Sequence, residues 1–273
     1  MILWRKWSQQ PWLFTKVIKL YGIINILEGE YVKKKYIILL TIFTCLMILA
    51  LIILFSWYKE NKKNQEIVDN VKKYININNG ENNEEKEDKN NEEKKYLDKK
   101  ILEENQNTVG WIKIEGTKID YPVVKYTDNE YYLKHDFKNN LNSAGWIFMD
   151  YQNNFNDQNI VLYGHNRKDG SMFGSLKMLF DDEFYKDHKN EILFIKENEI
   201  IRYSIFSVYK VVKTDSYNST NFISLEEKVK EFKNRSIIHF DFDVSDISQV
   251  ITLSTCDYNN SYRLVVHGYK KLS

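Results

Sequence analysis

The stretch ITLSTC, from Ile251 to Cys256, lies near the end of the chain and decides how the rest is interpreted. Its β-branched residues are typical of a strand, and the polar run DYNNS that follows indicates a turn. A second strand-like run, YRLVVHGY, begins at Tyr262. Cys256 is therefore expected at the end of a strand, where a scaffold presents side chains to solvent.

Cys256 is a candidate nucleophile. A thiol attacks carbonyl groups as the thiolate, so it needs a base or an electropositive neighbour. The alternative is that Cys256 is a small buried hydrophobic residue. The other cysteine, Cys45, lies within an apolar run, and no disulfide between the two is expected.

Five histidines could act as the base, namely His135, His165, His188, His239 and His267. His165 follows the strand-like run NIVLY, Asn159 to Tyr163. His188 and His239 lie in charged or helix-end settings that favour a surface position, and His267 could be structural. A lone histidine is more often structural than catalytic, so the residues by themselves leave the partner of Cys256 open.

Arg263 follows Cys256 by seven residues, across a connection that could bring the two strands together. Its guanidinium could stabilise an oxyanion or hold a substrate. The alternative is a surface salt bridge, for example with Asp257.

Three residues next to the cysteine are candidates for supporting roles. Asp257 could orient His165, although a turn aspartate also has a purely structural explanation. Ser254 and Thr255 are expected to support the strand and an oxyanion pocket rather than to react.

Short runs rich in aromatic and β-branched residues recur from about Tyr96 onward and predict strands separated by polar connections, as in a barrel or sandwich. They are Val109–Ile114, Lys118–Val124, Gly145–Met149, Asn159–Tyr163, Glu191–Phe194, Ile200–Val212, Val250–Thr255 and Tyr262–Tyr269. Helices are predicted at Tyr96–Gln106 and at Ser224–Asn234, the second with a capping box formed by Ser224 and Glu227.

The run from Ile37 to Trp57 contains no charged residue and, at about 1.5 Å per residue, reaches roughly 30 Å. Residues 37–58 are therefore predicted to be a single uncleaved transmembrane anchor. The lysines at 33–35 favour a cytoplasmic amino terminus and an extracellular carboxy-terminal part. Residues 1–36 would be a cytoplasmic tail, either plain or lying on the inner membrane surface.

Residues 59–95 are dominated by Asn, Glu and Lys and predict a disordered polar spacer. Residues 96–273 would form one extracellular domain. The chain has 39 basic and 38 acidic residues, a formal net charge of +1, which gives no indication of nucleic-acid binding.

Several segments together resemble the sortase family, and its class B members in particular. TLSTC (Thr252–Cys256) is similar to the family signature TLxTC. The segments VGWIKIEGTKIDYPVV, YYLKHDF, AGWIFMD and LYGHNRKDGSMFGSL precede it in the family's order, and the last of them carries His165. Arg263 matches the family's arginine. The likeness covers roughly residues 96 to 271.

This resemblance implies a mainly β fold, a closed eight-stranded barrel with an N-terminal helix and a helix in the connection before the cysteine strand. It implies a cysteine transpeptidase with Cys256 as nucleophile, His165 as general acid and base, and Arg263 as oxyanion stabiliser. Cys256 would cleave a C-terminal sorting signal of a secreted protein after Thr. An amine from the peptidoglycan precursor or cross-bridge of a Gram-positive cell wall would then resolve the thioacyl enzyme. Neither a cofactor nor a metal is expected.

Three other interpretations stay open on the sequence. The same chemistry could release its product to water, as in a membrane-anchored cysteine protease. It could polymerise pilins with a lysine as the acceptor. A non-enzymatic anchored scaffold with a structural Cys256 is the third.

Overall fold

The computed structural model describes residues 11–75, 96–212, 214–244, 246–256 and 261–272. Within these ranges the α-helices are α1 (Pro11–Val71), α2 (Ile101–Glu104), α3 (Phe184–Asp187) and α4 (Leu225–Arg235). The strands are β1 (Thr108–Lys113), β2 (Asp120–Lys125), β3 (Phe148–Met149), β4 (Asn159–Tyr163), β5 (Glu191–Ile195), β6 (Ile200–Val212), β7 (Ile247–Cys256) and β8 (Tyr262–Lys271). Short 3-10 helices cover Lys72–Tyr74, Tyr131–Leu133 and Gly174–Phe180.

The eight strands close into a barrel in the order β1-β2-β3-β4-β7-β8-β6-β5. The pairs β2–β3 and β4–β7 are parallel, and the other neighbours are antiparallel. Closure leaves no unpaired sheet edge. The predicted eight-stranded barrel is therefore confirmed.

Two predicted elements are shorter than expected. The strand predicted over Gly145–Met149 is reduced to β3, because Gly145 has a φ of 57°, which is incompatible with extended backbone. The helix predicted over Tyr96–Gln106 is reduced to α2. Asn105 ends it with a φ of −156° and directs its side-chain amide to the carbonyl oxygen of Phe137.

Two groups of buried side chains make up the core. The larger one is built on aromatic and branched residues such as Trp111, Trp146 and Phe194, each at most 1% exposed. The smaller one joins α4 to the sheet through Phe232 and Phe206. Burying an aromatic side chain contributes a few kcal/mol, so both groups stabilise the barrel.

The Ser224 half of the capping box predicted for α4 is present. The Ser224 side chain accepts a hydrogen bond from the backbone N–H of Glu227 at 3.3 Å. Val229 and Phe232 lie on the buried face of this helix. The helix in the connection before the cysteine strand is thus confirmed.

The chain forms two compact units that divide after Lys59. The first unit contains the exposed apolar residues of α1, including the predicted anchor at 37–58 and the exposed free thiol of Cys45. By length and composition alone, α1 contains a segment that is long and apolar enough to cross a membrane, near the N-terminus.

The second unit begins at Glu60, well before the predicted domain boundary at residue 96. The residues from 59 to 71 are helical rather than a disordered spacer. Ile67, Val68 and Val71 are at most 6% exposed within the main core. Their spacing places them on one helical face, which the surrounding Asn, Glu and Lys residues obscured. Most of the remaining predicted spacer, residues 76–95, lies outside the described residues.

Candidate active site

Cys256 on β7 and Arg263 on β8 are register partners, in the last residue pair of these two strands. The register of these two strands runs from Ile247 opposite Lys271 to Cys256 opposite Arg263. Directly opposed residues have Cβ atoms about 5 Å apart. The backbone of Cys256 is described, and its side chain lies outside the described part of the molecule.

His165 lies at the same end of the neighbouring strand. β4 runs parallel to β7, with Tyr163 opposite Ser254, and the backbone N–H of Gly164 donates to the carbonyl oxygen of Ser254 at 3.3 Å. His165 is two residues beyond Tyr163, and Cys256 is two residues beyond Ser254. The three predicted residues therefore stand at one end of three adjacent strands, β4, β7 and β8.

The imidazole of His165 is half-buried, and a backbone group orients it. Its Nε2 lies 2.8 Å from the carbonyl oxygen of Leu133. A carbonyl oxygen only accepts, so this hydrogen bond requires a proton on Nε2. In the neutral ring, Nδ1 is then the nitrogen that can take up a proton.

Arg263, the register partner of Cys256, is half-buried. Its Nη1 donates to the carbonyl oxygen of Tyr262 at 3.1 Å. That contact involves a single backbone oxygen, and a guanidinium has five N–H donors. As far as the described residues go, donors therefore remain with which the side chain can bind a developing oxyanion.

The predicted supporting residues differ in their surroundings. The Ser254 hydroxyl lies 2.7 Å from the hydroxyl of Tyr217. The Thr255 hydroxyl is buried and has no hydrogen-bond partner among the described residues. Asp257 lies outside the described residues, so its orienting role stays a prediction.

The other histidines have structural surroundings. His135 bonds the carbonyl oxygen of Tyr131 at 2.7 Å and stacks on that ring, and His188 does the same with Phe184 at 3.0 Å. His267 is completely buried, and His239 is exposed. Of the five, His165 is the one at the strand ends that carry Cys256 and Arg263.

Sequence reasoning missed the groups that hold the His165 loop. Leu133 contributes a backbone carbonyl, and no side-chain pattern in the sequence indicates such a contact. The Arg167 guanidinium donates from Nη2 to the side-chain oxygen of Asn61 at 2.5 Å, which ties the loop to the end of α1. The apolar spacing of Ile67, Val68 and Val71 was the available signal that this part of the chain is packed.

Comparison with known proteins agrees with this geometry. The family model described as "Sortase domain" matches residues 112–271, which include Cys256, His165 and Arg263. The chain belongs to the sortase family. It is therefore a cysteine transpeptidase, which argues against the non-enzymatic scaffold.

The relatives and structures described here are named as sortase B. Sortase B of Listeria monocytogenes is 36% identical over 239 residues, covering 80% of this chain and 91% of the relative. Sortase B of Staphylococcus aureus is 34% identical over 171 residues, covering 59% and 69%. A crystal structure of sortase B from B. anthracis matches with a TM-score of 0.64 and 35% identity, covering 79% of this chain and 98% of that chain. A Staphylococcus aureus sortase B–substrate complex matches with a TM-score of 0.58 and 34% identity, covering 63% and 84%.

Proposed function

We propose that this sortase cleaves a C-terminal sorting signal of secreted proteins after a Thr and transfers the new carboxyl end to a cell-wall amine. Cys256 Sγ attacks the carbonyl carbon of that Thr and forms a tetrahedral oxyanion. The guanidinium of Arg263 stabilises the negative charge on the oxygen. Collapse breaks the C–N bond and leaves a thioester on Cys256.

His165 handles the protons in both halves of the reaction. It protonates the leaving amine when the C–N bond breaks. An amine from the peptidoglycan precursor or cross-bridge then attacks the thioester carbonyl, and His165 takes up the proton of that amine. The new amide forms and Cys256 leaves as the thiolate, which restores the pair of thiolate and protonated His165 from which the attack begins.

One observation supports this proposal most directly. The strand registers align Cys256 with Arg263 directly and place His165 two residues past the strand that pairs with the cysteine strand. The residues that carry a thiol, an imidazole and a guanidinium thus come from adjacent strands at one barrel end, which supports roles for them in acyl transfer.

The test uses the full chain in detergent micelles, a library of fluorogenic sorting-signal peptides, and product analysis by mass spectrometry with and without an added amine. We expect cleavage after Thr, a peptide adduct on Cys256, and an amide product when amine is present. Cys256→Ala should abolish cleavage, and His165→Ala should reduce it by about 100-fold or more.

The control is Cys45→Ala, which removes the other thiol and should leave cleavage unchanged. Cleavage that survives Cys256→Ala would overturn the assignment of the nucleophile. Hydrolysed product at every amine concentration would indicate a protease that transfers to water. A product formed only with a lysine side chain would indicate a pilus-polymerising enzyme.

We also propose that residues 37–58 cross the cell membrane once, with the amino terminus in the cytoplasm. The lysines upstream of the apolar run support this orientation. Protease added to intact cells should remove the barrel and spare a tag at the amino terminus. Protection of the barrel from the protease would indicate the opposite orientation, with the barrel in the cytoplasm.

A further inference from the structure

The loop ahead of α4, residues 217–222, borders the candidate active site. The Tyr217 hydroxyl lies 2.7 Å from the hydroxyl of Ser254, two residues before Cys256. The Asn218 amide donates to the Tyr163 hydroxyl at 2.9 Å, two residues before His165. This loop therefore reaches both strands that lead to the proposed nucleophile and base.

A continuous line of hydrogen bonds leads from β6 across β8, β7 and β4 to this loop. The Tyr209 hydroxyl lies 2.9 Å from His267 Nε2, and His267 Nδ1 lies 2.9 Å from the Thr252 hydroxyl. Thr252 donates to Asn159 Oδ1 at 2.7 Å. The Asn159 amide donates to the carbonyl oxygen of Ser219 at 2.8 Å, and its backbone N–H donates to that of Thr220 at 2.9 Å.

The direction of every bond in this line follows from its Asn159 end. The Asn159 amide nitrogen donates to Ser219, so its oxygen accepts from Thr252. The Thr252 hydroxyl has one proton, already given to Asn159, so it accepts from His267 Nδ1. His267 Nε2 is then unprotonated and accepts from Tyr209. The structure thus defines His267 as the Nδ1–H tautomer.

The surroundings of His267 keep it neutral, as this arrangement needs. Its side chain is completely buried and stacks on Phe232, with ring centroids 3.8 Å apart. Burial, followed by the positive charges of Arg235 and Lys228, lowers the pKa of His267 well below its ordinary value. The buried line is satisfied at each link, and such polar networks favour one arrangement of the strands that share them.

We infer that the line Tyr209–His267–Thr252–Asn159 is a positioning network that holds the loop 217–222 in place, and through that loop sets how tightly a peptide substrate is bound. The inference rests on the proposed function for its substrate. None of the four residues is assigned a part in the chemical steps. Breaking the line should therefore weaken substrate binding more than it slows turnover.

Thr252→Val breaks the line in its middle, since valine has the same shape and no hydroxyl. Thr252→Ser restores the hydroxyl and should rescue the effects. The matched control is Thr108→Val on β1, which also removes a buried threonine hydroxyl, one that donates to the carbonyl oxygen of Asn105 at 2.7 Å. All variants are made in the full chain in detergent micelles.

Hydrogen exchange followed by mass spectrometry tests the loop without any substrate. Exchange of peptides covering residues 217–222 should be faster in Thr252→Val, and unchanged in Thr252→Ser and Thr108→Val. Equal exchange in Thr252→Val and Thr108→Val would overturn the inference, whether or not the protein cleaves sorting signals.

Activity with the peptide found in the library test separates binding from chemistry. Thr252→Val should raise KM by about tenfold and leave kcat nearly unchanged, the pattern of lost ground-state and transition-state binding alike. A fall in kcat alone would contradict the inference.

Nitrogen NMR of the 15N-histidine-labelled wild-type chain needs no variant to fold. His267 should show a protonated Nδ1 and an unprotonated Nε2. A protonated Nε2 would overturn the direction of the line and the inference with it.

Discussion

The residues of the site are held in two different ways. Cys256 and Arg263 lie on β7 and β8, which pair over their whole length and bring the two residues into direct register. His165 lies past the end of β4, where a carbonyl of a neighbouring 3-10 helix and the end of α1 support it. The strand-borne half is positioned by a regular ladder, and the loop-borne half by single contacts from distant parts of the chain.

Because of this difference, substitutions in the two halves of the site should affect activity in different ways. A ladder distributes the positioning over many hydrogen bonds, so a substitution in the strand-borne half should act mainly by removing a chemical group. In the loop-borne half, a change that touches neither substrate nor His165 itself should still alter activity by moving the ring.

Arg263→Ala is expected to have the largest effect, because it removes the proposed oxyanion donor from an intact ladder. We expect kcat to fall by about 100-fold or more and the unfolding temperature to change little. Steady-state kinetics with the cleaved peptide and thermal unfolding measure both. Arg202→Ala, which removes an exposed arginine paired with Glu191 at 3.0 Å, is the control. Equal kinetic constants in the two variants would contradict the proposed role of Arg263 as oxyanion donor.

Gly145→Ala tests the support of His165. An added Cβ would lie 2.5 Å from the Tyr132 carbonyl oxygen, 2.9 Å from that of Leu133 and 3.0 Å from His165 Cδ2. Strain at positive φ and overpacking should each cost about 1–3 kcal/mol of unfolding free energy. Because Leu133 orients the ring, kcat should also fall, by about tenfold.

Gly170→Ala provides the comparison for that variant. Gly170 also has a positive φ, 80°, but the nearest atom to an added Cβ is a flexible lysine carbon at 3.4 Å. It should lose about 1–2 kcal/mol from backbone strain and keep its activity. If both variants lose activity alike, backbone strain and not contact with His165 is responsible.

Asp136→Ala should act mainly on stability. The carboxylate is completely buried and accepts from Lys63 Nζ and the backbone N–H groups of Lys138 and Asn140, each at 2.9 Å. Removing it leaves donors without partners, and we expect a loss of about 2–3 kcal/mol at pH 7. Asp128→Ala, which removes an exposed turn aspartate, should cost less.

The effect of Asp136→Ala should depend on pH. Burial raises the pKa of Asp136, but hydrogen bonds from Lys63 and Asn140 outweigh it, so the pKa lies below its usual value. The ionised form then stabilises the fold above the unfolded-state pKa of about 3.9, and this contribution is lost as the pH falls through the lowered folded value. Urea unfolding at pH 7 and near pH 3 should show the gap between wild type and variant narrowing in acid. A constant gap would contradict this account.

Arg167→Met is expected to have the smallest effect. It removes the bond to Asn61 and the longer contact with Asp169, 3.4 Å away. We expect about 1 kcal/mol of lost stability and a two- to threefold fall in activity, since one contact among several is lost. Asn61→Leu removes the other partner and should have a similar effect. The double variant should be little worse than either single one, and full additivity would show that the two side chains do not act together.

The strand-borne half could be predicted from the sequence in detail. Aromatic and β-branched runs located all eight strands, and the capping box located α4, because these patterns are local in the sequence. The segment 59–71 was misjudged because its three apolar residues are few among Asn, Glu and Lys, and only a partner surface makes them core. The boundary of β3 was missed because the φ of Gly145 depends on the carbonyl groups packed around it.

The order of motifs along the chain was enough to indicate the family and the barrel, because residue types and their order are properties of the sequence itself. The same motifs predict Cys256, His165 and Arg263 as the catalytic residues. The order of motifs did not reveal that a Leu133 carbonyl orients His165, that Asn61 and Lys63 of α1 bond the connections at Arg167 and Asp136, or that His267 lies in a line of bonds to the loop 217–222. Those contacts join residues separated by 15 to 106 positions. Only the closed barrel brings them within hydrogen-bonding distance, and backbone acceptors carry no residue-specific signal.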